Sequence, residues 1–256
     1  MFSVSPFTLG SSPTEQYVEQ RLRGTIWQNL GFAHTAYRAC LEVGRALGQV
    51  GISPNALTYA SLLIAGLSGI AAGLGFFGSA ALLLALSGVC DILDGAVARA
   101  GGLSTRFGAL LDSTVDRLAD ALPLLGLIVF YAPSKAAVAL SAFAMLSSFA
   151  VSYVRARAEA LGASLPPLFM RRAERFVFLA ASLLLGTLPL GPTLPARLTL
   201  AGVSLMGLLS AVGAVVALRA ARRVLSEAAS APARPQAKAG VGKNGRPFRQ
   251  PASPAP

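Results

Sequence analysis

Of the 256 residues, 54% are hydrophobic and only 13% charged, and the mean hydropathy of +0.61 excludes an ordinary soluble domain. The formal charge of +11 would suit a nucleic-acid partner, but the basic residues fall where a membrane would place them, so nucleic acid is set aside. Two cysteines, Cys40 and Cys90, make no disulfide framework, and Cys90 is read as a small apolar packing residue.

Residues 1 to about 15 are polar and hold Pro and Ser, and no basic segment followed by an apolar core marks a cleaved signal peptide. From Glu15 to about Leu47, Leu22, Ile26, Leu30, Phe32, Ala36, Cys40, Val43 and Leu47 recur near helical spacing. With Arg21, Arg23, Arg38 and Arg45 interspersed, this predicts one or two amphipathic helices on the membrane face, with Trp27 and Tyr37 at the interface. The lone His34 has no clustered partner and is read as structural or exposed.

Apolar stretches near twenty residues long predict six spans, roughly 56 to 77, 79 to 98, 108 to 131, 134 to 154, 174 to 190 and 196 to 218. The expected fold is therefore all-α, an integral membrane bundle of six transmembrane helices with an N-terminal amphipathic juxtamembrane helix. Pro54 sets the turn into the first span, and Asn55 is placed to cap it. The fourth span is rich in Ala and Ser (Ser141, Ser147, Ser148, Ser152), the composition of helices packed closely in lipid.

Basic residues lie on one side. Arg99 and Arg106 stand between spans two and three, Arg155, Arg157, Arg171, Arg172 and Arg175 between four and five, and Arg219, Arg222 and Arg223 after six. The opposite loops carry only Lys135 and Arg197. The positive-inside rule puts both termini on the cytoplasmic side of a multi-pass cell-membrane protein, facing anionic lipid.

The chemistry concentrates between spans two and three. All five aspartates of the chain, Asp91, Asp94, Asp112, Asp116 and Asp120, fall in thirty residues of strongly apolar sequence. One aspartate at the centre of a span is disfavoured by roughly 2.5 to 3.5 kcal/mol on the mildest scale. Asp91, Asp94 and Gly95 share one helical face, and Asp112 and Asp116 share another. The break Ala100-Gly101-Gly102-Leu103-Ser104 lets the two helices run antiparallel, with four carboxylates converging at their common end. Like charges 4 Å apart repel by about 4 kcal/mol at an effective dielectric near 20. Divalent cations would relieve this, and oxygen ligands without His or Cys favour Mg²⁺ or Mn²⁺. Room for two ions is the arrangement of two-metal phosphoryl transfer. Gly95 lets a substrate approach the backbone, and Arg99 offers a fork for phosphate. Arg117 and Asp120 extend the cluster, pairing with each other or with neighbours.

The run Asp91-x2-Asp94-Gly95-x2-Ala98-Arg99-x8-Gly108-x3-Asp112-x3-Asp116 resembles the signature of the CDP-alcohol phosphatidyltransferase family at every fixed position. The resemblance covers about 54 to 223. It implies transfer of a phosphatidyl group from CDP-diacylglycerol to a small polar alcohol with release of CMP. It implies Asp91, Asp94, Asp112 and Asp116 as ligands of two metal ions, with Asp116 also the catalytic base. It assigns Pro54, Asn55, Ala56, Leu57, Thr58, Gly95, Ala98, Arg99, Thr105 and Gly108 to the CDP-alcohol, with the Thr105 hydroxyl toward the diphosphate. A homodimer is common among such proteins.

Around the third and fourth aspartates, and in Ser152-Tyr153-Val154-Arg155-Ala156-Arg157-Ala158-Glu159 with Glu174-Arg175, the chain is most similar to phosphatidylinositol-phosphate synthases. The acceptor is then inositol 1-phosphate, its phosphate held by Arg155, Arg175 and Arg219. Arg155 stands where the family often has Lys, keeping the charge with a different geometry. Each basic cluster alone is also explained by membrane anchoring. The alternatives are the same chemistry on glycerol 3-phosphate or another small alcohol, and, in another class, a cation transporter with intramembrane aspartates, for which an arginine one turn from the acidic ring has no use. A scaffold explains neither the aspartate spacing nor the basic clusters.

Three segments are expected: 1–50 with the interfacial helix, 51–225 as the catalytic bundle, and 226–256 as a disordered basic tail rich in Ala and Pro.

Overall fold

The computed structural model describes residues 31–166 and 169–230, and among them every regular element is a helix. They are α1 (Gly31–Gln49), α2 (Pro54–Gly73), α3 (Phe77–Ala100), α4 (Arg106–Phe130), α5 (Lys135–Ala160), α6 (Arg172–Leu185) and α7 (Leu194–Ser230). Residues 1–30, including Trp27, and 231–256 of the expected tail lie outside the described residues, as do the side chains of His34 and Tyr37.

By length and composition, α2, α3, α5 and α7 can cross a membrane. The other two predicted spans differ for physical reasons. Helix α4 carries Arg106, Asp112, Asp116, Arg117 and Asp120 in its first turns. Helix α6 has only 14 residues, about 21 Å at 1.5 Å per residue, short of a hydrocarbon core about 30 Å thick. Helix α7 instead runs 37 residues, to Ser230, past the expected start of the tail.

Local sequence explains the ends. Ser53, not Asn55, caps α2: its Oγ accepts from Ala56 N at 3.2 Å, and Pro54 occupies the first helical position. Asn55 sits inside the first turn, free to direct its amide elsewhere. Helix α3 stops at the expected break, where Gly102 takes a φ of +63° that an L side chain rarely adopts. Thr105 restarts the chain by accepting from Gly108 N at 2.9 Å.

Helix α2 is the pillar of the bundle. It packs extensively on both α3 and α4, whereas α3 and α4 touch each other little. Its buried residues are small: Ser61, Ala65, Ser68, Gly69, Ala71 and Ala72. At its crossing with α4 a Cβ added at Gly126 would lie 2.0 Å from the Gly69 carbonyl oxygen, so backbone meets backbone. Two buried hydroxyls fasten α2 to α3, Ser68 Oγ donating to Ala80 O at 2.7 Å and Ser87 Oγ to Ser61 O at 2.8 Å. Helices α5 and α7 form a second tight pair, in which Gly207 abuts Ala144. Large apolar residues such as Leu63, Ile70, Leu82, Leu110, Leu146 and Leu208 point outward, as lipid-facing side chains do.

Helix α1 lies against α3. The periodicity placed Val43 on its apolar stripe, yet Val43 is 47% exposed. Leu41 and Gly44 are buried instead, because the missing side chain of Gly44 admits Ala96 of α3; a Cβ there would stand 2.4 Å from that of Ala96.

Gly126→Ala therefore forces α2 and α4 apart and should cost about 1–3 kcal/mol. In the same bundle, Gly66, with nothing within 4 Å of an added Cβ, should accept alanine without loss. Thermal unfolding of the two variants in one detergent checks the contrast.

Candidate functional site

Both halves of the acidic motif meet at one end of the bundle because each helix that carries one is packed on α2. Asp91 and Asp94 come from α3; Asp112, Asp116 and Asp120 come from α4. One carboxylate oxygen each from Asp91, Asp112 and Asp116 lies within 4.8 Å of the others. Oxygens at about 2.0–2.1 Å from a common Mg²⁺ fall inside that spread. Oδ1 of Asp91 and of Asp116 are buried without hydrogen-bond partners, the condition that a bound cation relieves. The residues present thus fit a hard divalent ion.

Asp94 stands apart from the other three. It is 4% exposed, and its Oδ2 accepts from Thr58 Oγ1 at 2.6 Å, on the pillar helix. Thr58, expected at the nucleotide, is itself buried and faces a carboxylate. Of the remaining residues expected at the CDP-alcohol, several gather around the start of α4. A Cβ at Gly108 would lie 3.0 Å from Thr105 Oγ1 and 3.6 Å from Asn55 Oδ1, so Gly108 keeps open a small floor between these two polar groups. Thr105 Oγ1, expected at a diphosphate, already caps its helix. Arg99 folds back over Gly95, where an added Cβ would sit 2.8 Å from its Nη1. Pro54, Ala56, Leu57 and Ala98 line the same end as half-buried or exposed residues.

Spacing alone did not reveal the contribution of α6. Arg172 inserts its guanidinium into the cluster. Its Nη1 lies 2.6 Å from Asp91 Oδ2 and 2.8 Å from Asp116 Oδ1, and its Nε lies 3.6 Å from Asp120 Oδ1. The approach to Asp116 is at ion-pair distance but off the hydrogen-bonding direction, which leaves that oxygen without a hydrogen bond. Burial opposes the charge on Arg172, and Asp91, Asp116 and Asp120 outweigh it, holding the guanidinium above its usual range.

Arg175, one turn on, is locked in place. It is 4% exposed and donates to Asp120 Oδ2 at 2.9 Å, Ser152 Oγ at 3.0 Å and the Met170 carbonyl at 3.0 Å. Met170 is buried with a φ of 57°, a left-handed turn that starts α6 beside the cluster. Glu174 Oε2 closes the turn by accepting from Arg171 N at 2.8 Å. Arg155 of α5 is half-buried within electrostatic reach of Arg171, Arg175, Glu159 and Glu174. Arg219 is exposed on α7. It lies about 200° around the helix from buried Ala217, and the structure does not bring it into this group. Arg117 and Asp120 do not pair: Arg117 donates to the carbonyl and hydroxyl oxygens of Ser113, and Asp120 serves the two arginines of α6.

Residues 51–217 match the family model described as CDP-alcohol phosphatidyltransferase. An archaetidylinositol phosphate synthase of Methanothermobacter thermautotrophicus is 37% identical over 140 residues, 55% of this chain and 70% of that one. A phosphatidylinositol phosphate synthase of Mycobacteroides abscessus is 38% identical over 142 residues, 53% of this chain and 64% of the other. Crystal structures of the Mycobacterium tuberculosis phosphatidylinositol phosphate synthase superpose with a TM-score of 0.65. The one with CDP-diacylglycerol bound is 29% identical, with 72% of this chain and 94% of that one aligned. The one with manganese and citrate is 28% identical, with 72% and 88% aligned.

Thr58→Val removes the donor to Asp94 and leaves a buried carboxylate oxygen unsatisfied, which should destabilise the protein by about 1–3 kcal/mol. Thr58→Ser keeps the hydroxyl and should retain most of that stability; thermal melts of both variants in detergent measure the difference.

Proposed function

Because the chain belongs to the CDP-alcohol phosphatidyltransferase family, we propose that it transfers the phosphatidyl group of a CDP-diacylglycerol to an inositol phosphate and releases CMP. The observation that carries this reading is the convergence of Asp91, Asp112 and Asp116, from the two halves of the motif, within 4.8 Å. The choice of acceptor draws on the relatives named as inositol phosphate synthases.

In this reading Asp91, Asp94, Asp112 and Asp116 hold two Mg²⁺ or Mn²⁺ ions. Asp94 turns from Thr58 to do so. Ions held there would supply Lewis-acid withdrawal of charge from the diphosphate oxygens. The rest falls to the chain's own groups. Asn55, Thr58, Thr105 and Gly108, at the base of α2 and the start of α4, form the floor on which the CDP moiety lies, with Pro54, Ala56 and Leu57 beside them. Gly95 and Ala98 leave space against α3, and Arg99 closes on a phosphate oxygen by its fork. Asp116 takes the proton from the acceptor hydroxyl. That oxygen forms a bond to the lipid-side phosphorus, the bond from that phosphorus to the bridging oxygen breaks, and the electron pair leaves with CMP. Direct displacement is preferred, since no Ser or Cys stands out in the motif as an activated nucleophile.

Arg155, half-buried, supplies the positive charge for the acceptor's phosphate, with buried Arg175 behind it, while Arg219 stays on the exposed face of α7. The positive-inside distribution supports six crossings of the cell membrane, α4 and α6 with the residues that follow it joining the four long apolar helices, with both termini and the site cytoplasmic. Its first described helix would lie along the interface, and two copies would pair through apolar faces. The bundle 51–225 is then the catalytic unit.

Asp116→Asn should lower CMP release by at least about 100-fold, the scale of a lost general base, with near-normal turnover removing Asp116 from this role. Purified protein with CDP-diacylglycerol should release CMP with inositol 1-phosphate in preference to glycerol 3-phosphate, free inositol or serine. Arg155→Ala should raise KM for the acceptor about ten-fold while leaving that for CDP-diacylglycerol unchanged. A preference for glycerol 3-phosphate, which is the rival acceptor, would overturn the inositol assignment.

A further inference from the structure

We propose that Arg172 is the resident counter-ion of the carboxylate cluster and sets the affinity with which a divalent cation enters it. This rests on the reading of Asp91, Asp112 and Asp116 as a metal site. One nitrogen of Arg172 stands between carboxylates of two different helices, 2.6 Å from Asp91 and 2.8 Å from Asp116. Both residues belong to the set whose oxygens converge within 4.8 Å. A guanidinium nitrogen and a metal ion cannot hold the same oxygens at once, so the two positive charges compete.

The two arginines of α6 are built for different work. Arg175 has a side chain only 5% exposed and spends its donors on three partners. The Arg172 side chain is 30% exposed, and its Nε lies 3.6 Å from Asp120 Oδ1, outside the metal set. Rotation about its last torsions moves Nη1 off Asp91 and Asp116 while Asp120 keeps the head at the rim. Arg172 therefore neutralises the cluster whenever a metal ion does not, and metal binding must displace it. The apparent metal affinity is lowered by the fraction of molecules in which Arg172 holds the cluster.

The test is Mn²⁺ binding to the full chain in detergent micelles, read from the electron paramagnetic resonance signal of free Mn²⁺. Arg172→Gln should bind Mn²⁺ at least about five-fold more tightly than the wild type, and Arg172→Lys should stay close to the wild type. Thermal unfolding gives a second readout that does not depend on turnover. Arg172→Gln should melt below the wild type in EDTA and regain the wild-type midpoint in saturating Mn²⁺. Equal or weaker Mn²⁺ binding by folded Arg172→Gln would overturn the inference while leaving the metal site standing. So would a midpoint lowered equally with and without Mn²⁺, the mark of a purely structural strut. Failure of all three proteins to bind Mn²⁺ would remove the metal site and this inference together.

Discussion

Carboxylates crowded together in apolar surroundings must be met by positive charge, and the structure is arranged around that need. Asp91, Asp112 and Asp116 present oxygens within 4.8 Å of one another, and each is drawn from the polar end of a helix whose remainder is apolar. Were the helices free to separate, repulsion would part the charges. They are held by packing at a distance from the charges themselves, where Gly69 and Gly126 bring the backbones of α2 and α4 together and Ser68 and Ser87 fasten α2 to α3. The energy that assembles the acidic end is thus stored in the middle of the bundle, in close contacts between small residues. This also explains why α3 and α4, the two carriers of the motif, touch so little. Each is positioned by the pillar and not by the other.

Much of this was legible from residues. The spacing of Asp91, Asp94, Asp112 and Asp116 on two helical faces and the Gly-rich break between them were enough to expect a four-carboxylate cluster. Of these, Asp91, Asp112 and Asp116 converge while Asp94 faces Thr58, and the break is where Gly102 adopts its left-handed φ. The helices were legible from apolar runs to within a turn or two, except that α7 runs on to Ser230 from an expected end near 218, and four of the six are long and apolar enough to cross a membrane. Less legible was anything decided by a partner from elsewhere in the chain. Val43 fits the periodic stripe of α1, but Gly44 decides which side is buried, because only there can Ala96 approach. Asn55 has the chemistry of a cap, but Ser53 stands at the position that does the capping. Thr58 belongs to a nucleotide-associated run, yet its hydroxyl meets Asp94, thirty-six residues away.

The arginines show the same limit most plainly. By charge and position Arg171, Arg172 and Arg175 read alike in sequence, and only the family resemblance singled out Arg175, for the acceptor's phosphate. Their differences come from where α6 begins. The left-handed turn at Met170, pinned by Arg175 through its carbonyl, points the first turn of the helix across the acidic end. Arg172 then falls among Asp91, Asp116 and Asp120, while Arg175 turns inward to Ser152 and Asp120. No periodicity encodes that division, since both side chains lie on neighbouring positions of one short helix.

Asp120 joins these two arrangements. It lies one turn beyond Asp116 on α4, and its two oxygens face two different arginines, Oδ1 toward Arg172 and Oδ2 toward Arg175. A carboxylate so engaged is poorly placed to serve as a metal ligand, and its worth lies in joining α6 to α4. Helix α6 is short, and although it buries Leu179, Ser182 and Leu183 against its neighbours, a buried ion pair at its start is costly unless its geometry satisfies both partners. Here Arg175 donates to three acceptors, and Asp120 accepts from Arg175 and meets Arg172 by charge at 3.6 Å, while both arginines leave Nε without a hydrogen bond, so the condition is met in part. The fifth aspartate therefore works on the site indirectly: it fixes the element that delivers positive charge to Asp91 and Asp116.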